Sequence, residues 1–168
     1  MSSLFSLLKT NSATTRLLEK RGIFVVDETV GAPLLIATAF KEKPEDLVII
    51  TSNLYNAQQV YEALASLLSE EEVYYFPMDE MLRSESLAAS KEMLAQRLYV
   101  LANAQKEQPK IIVANLAAAM RYLPSPKLFN EHILKFSVGE RYEFENITRI
   151  LTEAGYTRVN KIVIFSNS

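Results

Sequence analysis

The chain has 168 residues, a formal net charge of −2, 49% hydrophobic side chains and 23% charged ones, the composition of a folded globular protein with room for one domain and a small appendage. It has no cysteine, a single histidine (His132) and four glycines (Gly22, Gly31, Gly139, Gly155). Disulfides, thiolate metal sites, a cysteine nucleophile and a two-histidine metal site are thereby excluded. The glycines are too far apart for a complete G-x-x-x-x-G-K-[ST] or G-x-G-x-x-G phosphate loop.

The charge is unevenly spread. Residues 1–105 carry 9 basic and 14 acidic side chains, residues 106–168 carry 9 basic and 6 acidic. An acidic total argues against a dedicated nucleic-acid binder, so direct DNA binding by residues 106–168 is a minor reading. Apolar runs fall well short of the ~18 residues of a membrane helix. The N-terminus lacks the basic-then-apolar order of a signal peptide. The expectation is a cytoplasmic protein with no membrane contact.

In chain order, residues 3–20 read as an amphipathic helix carrying Leu4, Leu7, Leu8, Leu17 and Leu18, broken at Thr10-Asn11-Ser12 and ended by Arg21-Gly22. Residues 23–26, Ile-Phe-Val-Val, read as a strand. A helix follows over residues 34–40, with Pro33 in its first turn. Residues 47–50, Leu-Val-Ile-Ile, read as a strand buried on both faces, as in parallel sheets. Ser52 or Asn53 caps a helix whose inner face is Leu54, Ala57, Tyr61, Leu64 and Leu68. Residues 73–76 form a third strand. A long helix is expected over residues 84–104, with Leu87, Leu94, Leu98 and Leu101 inward. Residues 110–114 form a fourth strand, and Asn115 caps a short helix over 116–122.

Pro124-Ser125-Pro126 stops that helix and marks the best domain boundary. Beyond it, residues 133–138 alternate as a half-exposed strand does. Phe144, Ile147, Leu151 and Ala154 share a helical face closed by Gly155, and residues 158–165 read as a last strand. The expected fold is therefore α/β. A parallel sheet with helices on both faces occupies residues 1–124, and a small α+β subdomain occupies 125–168.

The chemistry expected at these positions is sparse. In a nucleotide-binding sheet the loop after the first strand cradles phosphate with backbone N–H groups and a lysine. Here that place holds Asp27, Glu28, Thr29, Val30, Gly31, Ala32 and Pro33. Two carboxylates stand where a cation is needed, and Pro33 lacks an amide donor. Asp79-Glu80 resembles a magnesium-holding acid pair but has no phosphate loop to serve, so a solvated turn is the plainer reading. His132 beside Glu131 has no evident nucleophile to activate. No catalytic residue, metal site or cofactor is expected.

Several strings in order along the chain resemble the N-terminal module of the bacterial transcription-repair coupling factors (Mfd), itself similar to the front of the excision-repair protein UvrB. They are Val48-Ile49-Ile50-Thr51-Ser52-Asn53-Leu54-Tyr55-Asn56-Ala57 with Tyr61, Phe76-Pro77-Met78-Asp79-Glu80, and Glu85 through Ala88-Ala89-Ser90 to Arg97. Further on come Ile111-Ile112-Val113-Ala114, Leu123-Pro124-Ser125-Pro126, Leu134 to Val138-Gly139-Glu140, and Gly155-Tyr156-Thr157-Arg158-Val159.

The resemblance implies a helicase-like domain (domain 1a, residues 1–124) whose nucleotide site is degenerate, without a cofactor. It also implies a partial domain 2 (residues 125–168) that recruits UvrA, while the ATP-driven motor and the contacts with RNA polymerase and DNA lie in other parts of such proteins. The family's Gly-Glu-Phe-x-x-Arg-Gly segment after Gly-Tyr-x-Arg-Val has no counterpart, the chain reading Asn160-Lys161-Ile162-Val163-Ile164-Phe165-Ser166-Asn167-Ser168. The expectation is a truncated second subdomain with an open sheet edge prone to self-association, and with Arg141, Arg149 and Arg158 as the partner-facing cations. The alternative is a small α/β nucleotide-binding enzyme with an atypical phosphate loop.

Overall fold

A computed structural model describes residues 2–20, 23, 25, 30–79, 91–134, 136–153 and 156. The chain divides into two compact units, residues 1–123 and 124–168.

The first unit is α/β. Helices α1 (Ser2–Lys9) and α2 (Ser12–Leu18) separate at Asn11, whose side chain accepts from the Ala13 N–H at 2.8 Å. Helix α3 (Gly31–Glu42) starts without a side-chain cap and has Pro33 in its first turn. Strand β1 (Leu47–Thr51) leads to α4 (Leu54–Leu67), β2 (Val73–Phe76), α5 (Lys91–Ala104), β3 (Ile111–Asn115) and α6 (Leu116–Ala119). Asn53 caps α4 through the Asn56 N–H at 2.8 Å.

The three described strands are parallel in the order β1-β3-β2, so the last strand in sequence lies in the middle. Leu47 and Val73 both lie opposite Ile111. On one face, Phe40 and Ala37 of α3 and Ala57 and Leu64 of α4 pack on Val73, Ile111 and Val113. On the other, Val100 of α5 and Ala118 of α6 pack on Tyr74, Phe76 and Ala114. Period-two alternation along β2 and β3 feeds both cores, which is the expected two-sided sheet.

Four expectations change here. Strand β1 is not buried on both faces: Val48 and Ile50 are 66% and 55% exposed, because α5 and α6 close over β2 and β3 and the sheet ends at β1 among the described residues. The inner face of α5 is Val100, with Leu101 beside it, while Leu94 and Leu98 are half exposed. Residues 80–90, including Leu87, lie outside the described residues. Helix α6 ends at Ala119, and Asn115 at its N-cap position makes no capping bond, because its amide is bonded to Met78. The strand expected over residues 23–26 falls mostly outside the described residues.

The second unit holds α7 (Pro126–Glu131) and α8 (Phe144–Glu153). Helix α7 was not expected. Ser125 caps it through the Leu128 N–H and Pro126 sits in its first turn, so the string read as a stop is a start signal. The described residues of 133–138 are not a strand. A ladder needs a neighbour, and here the groups bond locally instead: Ser137 N–H donates to the Tyr142 hydroxyl at 2.7 Å, and Gly139 turns the chain at φ +92°. The expected strand 158–165 lies outside the described residues. No described side chain of this unit is buried.

Candidate functional site

In open parallel sheets, ligands bind beyond the carboxyl ends of the strands. Here those ends are Thr51, Phe76 and Asn115. The polar groups there are bonded within the fold. Thr51 Oγ1 donates to the Asn53 carbonyl at 2.9 Å, and the Asn53 amide oxygen is the α4 cap. Asn115, fully buried, accepts from Met78 N–H at 3.0 Å and donates to Met78 O at 2.8 Å.

Arg97 lies beside them on α5. Its Nη1 donates to the Pro77 carbonyl at 3.0 Å, and its guanidinium stands 4.1 Å from the Phe76 ring centre. Burial, and then the neighbouring Arg121, lower its pKa from the ordinary arginine value. Sequence reasoning gave Arg97 no role. The Phe76-Pro77 string and the seven-residue step from Ser90 offered no sign that a cation would fold over an aromatic strand end.

At the start of α3, Val30, Gly31, Ala32 and Pro33 are described, while Asp27, Glu28 and Thr29 lie outside the described residues. The first intrahelical bond runs from Leu34 N–H to Val30 O at 3.2 Å. That leaves the Gly31 and Ala32 amides as first-turn donors, since Pro33, which is buried, has none. Asp79 is half-buried; Glu80 lies outside the described residues. Among the described residues no group of three or more His, Cys, Asp or Glu side chains is placed to hold a metal ion.

His132 closes α7, its Nδ1 2.8 Å from the Leu128 carbonyl, a contact made within the end of the helix. In the same unit Arg141 is exposed, and Arg149 bonds Glu153 at 2.9 Å and Asn146 at 2.9 Å along α8. Arg158 lies outside the described residues. An apolar groove of about 450 Å³ in the first unit lies between α2, α3 and β1, walled by Leu17, Leu18, Ile36, Phe40, Leu47 and Ile49. Lys20 and Lys43 at its rim both pair with Glu45, at 2.8 and 2.6 Å. They hold that carboxyl at a pKa of about 2, chiefly by hydrogen bonding to it.

The described geometry thus presents polar groups bonded to the fold itself. No protein-family profile matches the chain. A transcription-repair-coupling factor of Bacillus subtilis is 35% identical to it over 121 residues, 72% of the chain. The chain is a relative of the transcription-repair-coupling factors. A Staphylococcus aureus transcription-repair-coupling factor is 23% identical over 124 residues, 74% of the chain. The chain spans about 10% of the B. subtilis transcription-repair-coupling factor and 11% of the S. aureus one. No helix among the described residues is long and apolar enough to cross a membrane.

Proposed function

We propose that this chain is a non-catalytic docking module that acts in the cytoplasm in transcription-coupled nucleotide excision repair, recruiting UvrA where RNA polymerase has stalled on damaged DNA. The observation that carries the reading is the 35% identity to the B. subtilis transcription-repair-coupling factor over 72% of the chain. The division of labour follows the sequence reading. Residues 1–124 form a UvrB-like platform whose loop at residues 27–33 does not grip nucleotide. Residues 125–168 form the partner-facing piece, with Arg141, Arg149 and Arg158 offering charge-assisted hydrogen bonds to acidic or polar groups on UvrA. Contacts with RNA polymerase and DNA, and ATP hydrolysis, fall to other parts of such a factor.

Support within the fold comes from the strand ends, where the Thr51, Asn53 and Asn115 side chains bond the backbone of Asn53, Asn56 and Met78. Immobilised chain is incubated with purified UvrA, alone and after extension with a Gly-Glu-Phe-x-x-Arg-Gly segment. Capture by the extended form, weakened by Arg141→Ala with Arg149→Ala, supports recruitment. No capture by either form ends it. A concentration-dependent rise in melting temperature with ATP and magnesium would replace it by the nucleotide-enzyme reading.

A further inference from the structure

A groove of about 650 Å³ in the first unit is lined by residues from the start of β2 and the C-terminal end of α5. The stretches that build it, 69–79 and 92–110, are all described. Tyr74 and Tyr99 line it with ring centres 6.0 Å apart. Two of its side chains are nearly buried and keep an unmet acceptor. Tyr74 and Asn103 are each 6% exposed. Asn103 Nδ2 donates to the Tyr99 carbonyl at 2.8 Å, while among the described residues nothing donates to its Oδ1. The Tyr74 hydroxyl likewise has no hydrogen-bond partner among the described residues. No polar side-chain atom left unpaired there is closed off from solvent, so both oxygens open where their residues line the groove. The surrounding field is negative. Glu71 and Glu107 stand against one ammonium, Lys106, and the α5 dipole places its negative end here. Burial, then Tyr99 and Glu71, raise the pKa of the Tyr74 phenol, which keeps its proton at neutral pH.

We propose that this groove takes the guanidinium of an arginine side chain presented by a partner protein. The unmet groups are acceptors, and a guanidinium carries five donors and no acceptor. Its plane stacks on an accessible aromatic ring, here Tyr99, which is 56% exposed. Its N–H edge is then left for the Tyr74 hydroxyl, Asn103 Oδ1 and the Glu71 carboxylate. An anion would meet Glu71 and Glu107 instead, and a compact ammonium would satisfy the charge without the stacking. The carboxyl end of the same strand carries the arrangement within the chain: Arg97 lies 4.1 Å over the Phe76 ring and donates to the Pro77 carbonyl at 3.0 Å. The groove belongs to the first unit and does not depend on the arginines proposed to face UvrA.

Tyrosine-ring NMR of the whole chain, titrated with acetyl-Gly-Arg-Gly-amide across the millimolar range, tests this. The Tyr74 and Tyr99 signals are expected to shift and saturate. Those of Tyr61 and Tyr75, stacked at the other face of the sheet, are expected to stay in place. The citrulline counterpart keeps the shape and loses the charge, and is expected to bind about tenfold more weakly. Glu71→Gln is expected to weaken the arginine peptide about threefold to tenfold. Tyr74→Phe keeps the packed ring, removes only the hydroxyl and is expected to weaken it by a similar factor. Lys106→Met, which removes the competing cation, is expected to tighten it. No saturable shift at Tyr74 and Tyr99, equal binding of the two peptides, or affinity indifferent to both Glu71→Gln and Tyr74→Phe would each overturn the assignment.

Discussion

Asn115, the last residue of β3, holds the backbone of Met78 with both ends of its side-chain amide, accepting from Met78 N–H at 3.0 Å and donating to Met78 O at 2.8 Å. The two residues are 37 positions apart, and the contact ties the segment after β2 to the central strand. Such a pair of bonds satisfies a peptide group that would otherwise lie unpaired beside the core. Asn115→Ala removes both at once from a fully buried site. The expected cost is about 2–4 kcal/mol, read as a melting midpoint lower by roughly 5–15 °C. Asn115→Asp keeps the acceptor, loses the donor and buries a charge, and is expected to be no more stable than the alanine variant. An unchanged midpoint for both would show the clamp to be ornamental.

The orientation of α5 gives a second expectation. Val100 is 1% exposed against Phe76 and Ala114, while Leu94 is 52% exposed. Val100→Ala is expected to cost about 1.5–3 kcal/mol through lost burial and the cavity left behind. Leu94→Ala, although it removes more carbon, is expected to stay within about 0.5 kcal/mol. Urea titration of the two variants decides it, and the reverse ranking would mean that α5 is rotated.

Those two residues also show where the sequence was readable. Strands β1, β2 and β3 announce themselves as β-branched and aromatic runs bounded by turn residues, and the inner face of α4 follows from its spacing. Their order was not readable, because nothing in a strand's own residues says that β3 inserts between the other two. On α5 the leucines suggested a face, but Val100 fills the core and Leu94 and Leu98 do not, since tertiary packing chooses among several apolar stripes. Asn115 has the form of a helix cap, yet Met78 outcompetes the helix for its amide. Pro124-Ser125-Pro126 can end one helix and begin another, and it begins α7. At the candidate site, Arg141 and Arg149 stand out only as charge, whereas the Glu153 and Asn146 bonds that occupy Arg149 come from helical spacing within α8.

Glu45 supplies a pH test. Hydrogen bonds from Lys20 and then Lys43 lower its pKa from 4.5 to about 2. A carboxyl whose folded value is depressed adds stability above its unfolded value and loses it as pH falls toward the folded one. The contribution is therefore complete above about pH 4.5 and fades toward about pH 2. Carboxyl-carbon NMR is expected to place the Glu45 midpoint well below 4.5. Lys43→Met is expected to raise it, and salt at about 1 M to do the same by screening an exposed pair. A midpoint near 4.5 in the unaltered protein would remove the ion pairs as a cause of low-pH behaviour.

The two units differ most sharply in what they bury, and amide exchange reads that difference directly. In the first unit Ile111 and Val113 of β3 are fully buried between two layers of helices, so their amides open only with the whole unit. In the second, Phe144 of α8 is 66% exposed and no described side chain is buried. Helix α8 keeps the Arg149–Glu153 pair at 2.9 Å, but an exposed pair of this kind stabilises a helix by only about 0.3–0.5 kcal/mol. A ten-residue helix resting on such contacts is marginal in water. On the whole chain, the β3 amides are expected to exchange at least a thousandfold more slowly than those of α8, a gap of about 4 kcal/mol in opening free energy. Addition of UvrA is expected to slow α8 and leave β3 unchanged. Equal protection in the free chain would mean that α8 is held by a core of its own. Protection by UvrA confined to the first unit would move the docking surface there.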